Sequence, residues 1–263
     1  MSKKACVFAF SGTGMTDYVI SKIHDELNKM NMSLDVYKIE NTSIKDISIQ
    51  DYEVIGIAYP VHALNAPKIV IDFVKQLPIA NAKKTFIISA TGDKSKLNLA
   101  SSNLLLQILK VKKYDVFYSK QFIMPSNFVF RNDDKVVAHR LKTVCKEAVQ
   151  TARAIYKNDF YKEKSNIISN IISVMGRIEW VGAKSMSKYF YANSNCTSCQ
   201  LCVRLCPNKN IVAQKSKITF NRNCGLCMRC IYICPYSAIK IRGIFKFISI
   251  GNWYENEELR YKE

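Results

Sequence analysis

Apolar and polar positions in the first 157 residues form short apolar runs that alternate with longer amphipathic stretches. The apolar runs predict β-strands, and the amphipathic stretches predict helices. The strands are expected at 4–10, 34–39, 53–59, 85–91 and 114–123, and the helices at 16–30, 66–76, 97–110 and 134–157. Near-continuous apolar strands alternating with helices are typical of a parallel sheet covered on both faces. We therefore predict an α/β domain built on a doubly wound, five-stranded parallel sheet.

Three segments that follow predicted strands should meet at the carboxyl edge of this sheet, where doubly wound domains bind their ligands. The first is the turn Ser11-Gly12-Thr13-Gly14-Met15-Thr16. Its glycines and hydroxyls, at the start of a helix, suit an anion. It lacks the Gly-Lys-Ser/Thr of a Walker A loop and the G-x-G-x-x-G of a dinucleotide site. Such a turn can also simply join a strand to a helix. The other two segments are 59–67 and 91–93.

Eight of the ten cysteines form two copies of the pattern C-x2-C-x2-C-x3-C-P. This pattern is the bacterial ligand run for a pair of [4Fe–4S] clusters, in which the fourth cysteine of each run binds the other cluster. Cluster 1 would be bound by Cys196, Cys199, Cys202 and Cys234, and cluster 2 by Cys206, Cys224, Cys227 and Cys230.

Disulfides and zinc are the alternative uses of these cysteines. Nothing else in the chain is typical of a secreted protein, which argues against disulfides. Zinc sites favour paired Cys-x2-Cys arms separated by a longer loop, and two runs of four that each end in Cys-Pro fit this poorly. The runs are also an internal repeat, with a short strand predicted between them at 215–220. The remaining Cys6 and Cys145 are interpreted as structural thiols.

These motifs support a resemblance to known families. The cysteine runs resemble a bacterial two-cluster ferredoxin, and the turn at 11–16 resembles the FMN-phosphate loop of flavodoxins, Ser/Thr-x-Thr-Gly-x-Thr. The whole chain resembles the flavodoxin–ferredoxin fusion proteins of anaerobic bacteria. The resemblance implies two [4Fe–4S] clusters and FMN as cofactors. It implies a flavodoxin-like domain at 1–157, a helical linker at 158–190, a small α+β two-cluster ferredoxin domain at 191–243 and a tail at 244–263.

The resemblance also implies roles for individual residues. Ser11, Gly12, Thr13, Gly14 and Thr16 would bind the FMN phosphate. Met15 stands where relatives often have a polar residue, which should weaken FMN binding without abolishing it. The residues expected to contact the flavin ring are Pro60, Val61, His62, Ala63, Leu64, Asn65, Thr91, Gly92 and Asp93, together with Asn127 and Phe128.

Two of these assignments have plainer alternatives. His62 has a side chain suited to proton transfer near neutral pH, but a single histidine in such a loop more often packs or forms hydrogen bonds. It is the one weak candidate for catalysis. The segment 124–128, which contains Asn127 and Phe128, is equally interpreted as an ordinary loop with a buried Phe.

The implied function is electron transfer between the clusters and FMN, with a low-potential donor such as an acidic ferredoxin. The alternative is an FMN-dependent reductase of a small molecule that uses the clusters as electron input. The formal net charge of +18 would steer an acidic redox partner. Nucleic acid is not expected as a partner, because no recognition motif accompanies the lysines. A solvated, Lys-rich surface with no partner is a further interpretation.

The segment 166–191 contains an apolar stripe at helical spacing. A helix packed between the two domains is favoured over a helix on a membrane surface, because an apolar stripe usually faces a core. No run reaches the length of a membrane span, and the first apolar run is too short for a signal peptide. A cytoplasmic location is therefore expected.

Overall fold

The computed structural model describes residues 3–126, 131–215 and 217–243. Its larger part is built on one parallel sheet with the strand order β2-β1-β3-β4-β5-β6. Every pair of neighbours in the sheet is parallel. The strands are β1 (Lys3–Ala9), β2 (Met32–Lys38), β3 (Val54–Pro60), β4 (Lys83–Thr91), β5 (Tyr114–Ile123) and β6 (Tyr161–Lys162). The order 2-1-3-4-5 is that of the flavodoxin-like doubly wound fold.

Helices cover both faces of the sheet. They are α1 (Met15–Lys29), α2 (Lys68–Gln76), α3 (Asn103–Val111) and α4 (Asp134–Lys157). α1 and α4 share one apolar core with the sheet, and α2 and α3 share the other. Because both faces are buried, the central strands carry apolar residues at nearly every position, as their sequence predicted.

The sheet has six strands, one more than the five expected from the sequence. β6 pairs with β5 through Tyr118–Tyr161 and Ser119–Lys162. Its two residues lie at the start of the predicted linker and are too few to show a strand periodicity. The expected helix at 97–110 is also divided in two. Its first part is a 3-10 segment, Lys96–Ser102, and its second part is α3.

Two short helices, α5 (Ile167–Gly176) and α6 (Glu179–Met186), follow β6. The remaining chain, residues 190–215 and 217–243, forms a small unit that we call the cysteine unit. It contains β7 (Phe190–Ala192), α7 (Leu201–Arg204), β8 (Ile211–Gln214), β9 (Lys217–Phe220), α8 (Arg229–Tyr232) and β10 (Ile239–Ile241). β7 pairs with β10 and β8 with β9, all antiparallel. β9 lies within the strand predicted at 215–220.

The cysteine unit has the internal repeat that its sequence predicted. When the two cysteine runs are aligned, α7 corresponds to α8 and β8 to β10. The left-handed residues also correspond, with Ser198 matching Leu226 and Gln200 matching Met228. The unit packs around its own small apolar core. None of the helices in the described ranges is long and apolar enough to cross a membrane.

Candidate functional site

The turn at 11–16 joins β1 to α1 at the carboxyl edge of the sheet. Gly14 precedes α1 with a φ of 100°, which a residue with a side chain rarely adopts. Its N–H donates to Ser11 Oγ at 3.1 Å. Thr16 is fully buried, and its Oγ1 has no hydrogen-bond partner among the described residues. A buried hydroxyl without a partner at a helix N-terminus is suited to donate to a bound anion.

Met15 and Thr13 differ from the other residues of this turn. Met15 is buried in the core shared by α1, α4 and the sheet, so its side chain packs there and can offer a ligand only its backbone. Thr13 is partly exposed. The buried hydroxyls of this turn are therefore those of Ser11 and Thr16.

The segment 60–65 is a tight turn after β3. His62 and Asn65 exchange both backbone hydrogen bonds, at 2.9 and 2.8 Å. Ala63 and Leu64 at the tip have positive φ values of 40° and 64°. Pro60 is the last residue of β3, and Val61 N donates to the Ala90 carbonyl at 2.7 Å. The turn is thus held at the same sheet edge as the turn at 11–16.

The Asn65 side chain binds α5, which the sequence did not predict. Its Nδ2 donates to the carbonyls of Ala63 at 3.0 Å and Ser173 at 2.7 Å, and its Oδ1 accepts from Ser173 Oγ at 2.9 Å. These three hydrogen bonds engage both polar atoms of the Asn65 side chain. The polar atoms of the Asn65 side chain therefore fix α5 to the turn, and the expected contact of Asn65 with a flavin ring stays a prediction.

The segment 91–93 follows β4, the neighbour of β3 in the sheet. Asn98 holds it, donating to Thr91 Oγ1 at 2.9 Å and to Asp93 Oδ1 at 2.8 Å. Arg140 on α4 donates to the Gly92 carbonyl at 2.8 Å. Sequence reasoning missed Asn98 and Arg140, since neither lies in a motif. Asn127 and Phe128, also expected here, lie outside the described residues.

The eight cysteines of the two runs separate into two quartets, each lining a cavity of about 20 Å³. Quartet 1 is Cys196, Cys199, Cys202 and Cys234, and quartet 2 is Cys206, Cys224, Cys227 and Cys230. Each quartet therefore takes three cysteines from one run and the last cysteine of the other. The sequence pattern assigned the same two groups of cysteines to two clusters, and their role as cluster ligands stays a prediction.

Most of the electrostatic coupling between the cysteines lies within these groups, although Cys230 is also coupled to Cys202 of the other quartet. Burial raises the pKa of Cys202 to about 11, and Cys234, Cys196 and Cys199 contribute to the shift. Burial raises the pKa of Cys224 to about 12, with contributions from Cys227 and Cys206. Such shifts penalise a bare thiolate, so the quartets suit thiolates whose charge a bound metal group offsets.

Backbone N–H groups also donate to cysteine sulfurs at equivalent positions of the two repeats. Asn210 N donates to Cys206 Sγ and Ala238 N donates to Cys234 Sγ, each at 3.2 Å. Among the described residues, no group of three or more Cys, His, Asp or Glu side chains is arranged to hold a single metal ion. The four thiols of each quartet line one small cavity.

Arg229 joins the cysteine unit to the sheet domain. Its side chain is 2 % exposed and forms an ion pair with Glu40, which is 3 % exposed. It donates to the Ser11 carbonyl at 2.6 Å and to the Leu205 carbonyl at 3.1 Å, and it lies over the Phe10 ring at 5.6 Å. A Cβ on Gly12 would overlap the Cys227 carbonyl. Quartet 2 therefore lies directly against the turn at 11–16.

A larger cavity of about 410 Å³ lies between α2, α6 and quartet 2. Its apolar wall includes Phe10, Ile39, Ile69 and Phe73, and its polar wall includes Glu40, His62, Lys68, Asp72, Glu179 and Lys184. Cys224 and Cys227 line both this cavity and the quartet 2 cavity.

Burial lowers the pKa of His62 to about 4 and raises the pKa of Glu179 to about 7. His62 is therefore neutral at pH 7.

Comparison with solved structures finds flavodoxins and flavodiiron proteins. A flavodoxin from the domain Archaea matches 58 % of this chain and 99 % of its own, with 14 % identity and a TM-score of 0.38. The two-electron reduced Megasphaera elsdenii flavodoxin matches 56 % of this chain and 98 % of its own, with 19 % identity and a TM-score of 0.40. The rubredoxin oxygen:oxidoreductase from Desulfovibrio gigas matches 59 % of this chain and 38 % of its own, with 14 % identity and a TM-score of 0.39.

No protein-family model matches the sequence, and neither does any curated protein. At these identities and TM-scores the solved structures carry no argument about activity. The flavodoxin-like assignment of the sheet domain rests on its strand order.

Proposed function

We propose that the chain is an electron-transfer flavoprotein that binds two [4Fe–4S] clusters and FMN. The observation that carries the proposal is the division of eight cysteines into two quartets, each around its own cavity. When bound, the clusters would supply single-electron transfer, and FMN would supply storage of one or two electrons. The chain's own residues bind these groups, set their order and exclude water.

The donor set of each quartet fits a [4Fe–4S] cluster better than a single zinc ion. Zinc requires four ligands within about 2.3 Å of one point, and the described residues offer no such group. A polynuclear cluster needs four thiolates around one cavity, and the four cysteines of each quartet line one cavity, which supports the proposal. The amides of Asn210 and Ala238 would stabilise negative charge on the sulfurs.

The turn at 11–16 fits the phosphate of FMN. Thr16 Oγ1 is a buried hydroxyl without a partner among the described residues, and the backbone of the turn opens α1, whose N-terminus favours an anion. The turns at 60–65 and 91–93 follow the adjacent strands β3 and β4, so they lie beside it at the sheet edge. Their backbones would contact the ring, since the side chains of Asn65 and Thr91 are already bonded.

The contacts of Arg229 and Gly12 support a fixed order of the three groups. Quartet 2 lies against the turn at 11–16, so it would be the neighbour of FMN. Cys199 of quartet 1 is exposed, so quartet 1 is the one accessible to an external donor. The proposed route runs from the donor to quartet 1, then to quartet 2, and then to the flavin. A low-potential acidic protein such as a ferredoxin suits the basic surface.

The cavity of about 410 Å³ favours a second candidate, an FMN-dependent reductase of a small molecule. Its volume lies within the range of small-molecule sites, about 300–1,000 Å³, and its walls combine apolar and polar residues. Cys224 and Cys227 in its wall would bring cluster 2 close to a bound acceptor. Neutral His62 could donate or accept a hydrogen bond there.

The first test is anaerobic reconstitution followed by iron, sulfide and flavin analysis, with EPR of the reduced protein. We expect about eight irons and one FMN per chain. Cys199→Ser should alter one EPR signal and Cys227→Ser the other. Thr16→Val should weaken FMN binding, whereas Thr16→Ser should retain it because it keeps the hydroxyl. A single zinc per quartet, or an absence of FMN at saturating concentration, would contradict the proposal.

A further inference from the structure

Helix α5 has small and polar residues on its inner side and most of its large apolar residues on its outer side. Ser169 and Ser173 are buried, and a Cβ on Gly176 would overlap the Ala63 carbonyl. Asn65 holds Ser173 through two hydrogen bonds, and Asn170 Oδ1 accepts from Asn103 Nδ2 at 2.6 Å. These contacts fix which side of α5 faces the sheet domain.

The opposite side is a continuous aliphatic face. Its exposed fractions run from 57 % at Val174 to 76 % at Ile167. The apolar face comprises Ile167, Ile168, Ile171, Val174, Met175, Ile178 and Val181. This corrects the expectation that the stripe would pack between the domains. The hydrogen-bonding serines and Gly176 take the inner side, because only small residues allow α5 so close to the turn at 60–65. An exposed apolar patch of this size marks an interaction surface.

The charges around the apolar face are almost all positive. Lys164, Lys184 and Lys188 are exposed and lie along the same segment. The only acidic residue from 164 to 188 is Glu179, which is partly buried. Burial raises the pKa of its carboxyl to about 7, so about half of these carboxyls are neutral at pH 7 and most are neutral at lower pH. The segment therefore combines an exposed aliphatic face with exposed lysines, one of which, Lys184, also lines the large cavity, in a chain of net charge +18.

We propose that the apolar face of α5 and α6 lies on an anionic lipid surface. A helix with an aliphatic face bordered by lysines inserts shallowly into the headgroup region, where anionic lipids attract the lysines. A second copy of this chain fits less well, since a twofold interface would place the same lysines against each other. A protein partner usually requires hydrogen-bonding groups within the interface, and the aliphatic side chains of this face offer none. The proposal is independent of the clusters and of FMN.

The test is co-sedimentation of the intact, purified chain with phosphatidylcholine vesicles, either pure or containing phosphatidylglycerol as about one lipid in three. We expect binding to the anionic vesicles and much weaker binding to the neutral ones. Raising the salt to about 0.5 M should reduce binding, because it screens the lysines. Lys164→Gln, Lys184→Gln and Lys188→Gln combined should have the same effect.

The decisive variant is Ile168→Ser with Ile171→Ser, which removes aliphatic groups from the face. Binding to anionic vesicles should fall roughly tenfold or more. The matched control is Ile79→Ser with Val111→Ser, two apolar residues that are 71 % and 81 % exposed elsewhere on the molecule. The control should bind within about twofold of the native chain. Thermal unfolding should be nearly unchanged in both, since all four side chains are exposed.

Three results would overturn the proposal. The intact chain could fail to bind either vesicle at low salt. The Ile168/Ile171 variant could bind as tightly as the control, which would mean that charge alone attracts the chain. Sedimentation could reveal a dimer that only the Ile168/Ile171 variant disrupts, which would assign the face to a second copy of the chain.

Discussion

At the scale of single residues, two ionisable side chains in the large cavity respond oppositely to pH. Burial lowers the pKa of His62 to about 4, and it raises the pKa of Glu179 to about 7. Below pH 6.5 the unfolded chain protonates His62 while the folded chain does not, so the free energy of unfolding falls as pH falls from 6.5 to 4. Above pH 4.5 only the unfolded chain ionises Glu179, so stability falls as pH rises from 4.5 to 7.

His62→Asn should therefore flatten the acid side of the stability profile. Between pH 6.5 and 4, the titration of His62 should lower the free energy of unfolding of the native chain by about 1 to 3 kcal/mol. The lower figure is favoured, because the side chain is only half-buried and solvent screens it. Urea unfolding at several pH values measures this slope.

The charged groups that share the cavity with His62 are Glu40, Lys68, Asp72, Glu179, Lys184 and Lys209. The double variant, His62→Asn with Glu179→Gln, should lose both slopes, because neither titrating group of the opposed pair remains. Unchanged acid sensitivity in the single His62→Asn variant would contradict the assignment.

Sequence reasoning was most successful where a residue type has one structural use. The apolar runs predicted β1 to β5 to within a few residues, and the cysteine spacing divides the eight cysteines as the two cavities do, although their role as ligands stays a prediction. Sequence reasoning missed Asn98 and Arg140 and the bonds of Asn65 to α5, because polar side chains suit many environments and their partners lie outside any motif. It also failed for α5, because a helical apolar stripe gives the same pattern whether it faces a core or the exterior.

At the scale of elements, the position of α5 depends on its close approach to the turn at 60–65. Gly176→Ala should force α5 away, because the new Cβ would overlap the Ala63 carbonyl. We expect a loss of about 1–3 kcal/mol in stability, together with faster proteolysis between β6 and the cysteine unit. Gly182→Ala in α6 is the control, since its Cβ would have no neighbour within 4 Å. It should be neutral or stabilising by up to about 1 kcal/mol. Equal effects of the two variants would contradict this account of α5.

At the scale of the whole molecule, the buried pair of Arg229 and Glu40 joins the cysteine unit to the sheet domain. Arg229→Met leaves the Glu40 carboxylate buried without its cation, so we expect a loss of about 3–5 kcal/mol. Glu40→Met with Arg229→Met should recover much of this loss, because no buried charge remains. Chemical unfolding measures the stability, and small-angle scattering should detect separation of the two parts in the single variant.

The control for Arg229 is Arg204→Met, which removes an exposed arginine from α7. It should change stability by less than about 0.5 kcal/mol and leave the scattering curve unchanged. If Arg229→Met behaved like Arg204→Met, the buried pair would not be what joins the two parts.

The position of Arg229 within the repeat has a consequence for how such a chain can diverge. In the aligned runs, Arg229 corresponds to Leu201, so the two halves of the cysteine unit differ at the contact with the sheet domain. A duplicated unit with identical halves would offer two interchangeable ways to dock, and a mixture of orientations would result. Because only one half carries an arginine at this position, only that half can pair with Glu40, and one orientation is favoured. A single difference between two equivalent positions, Arg229 and Leu201, is then enough to decide which half of the unit docks against the sheet domain.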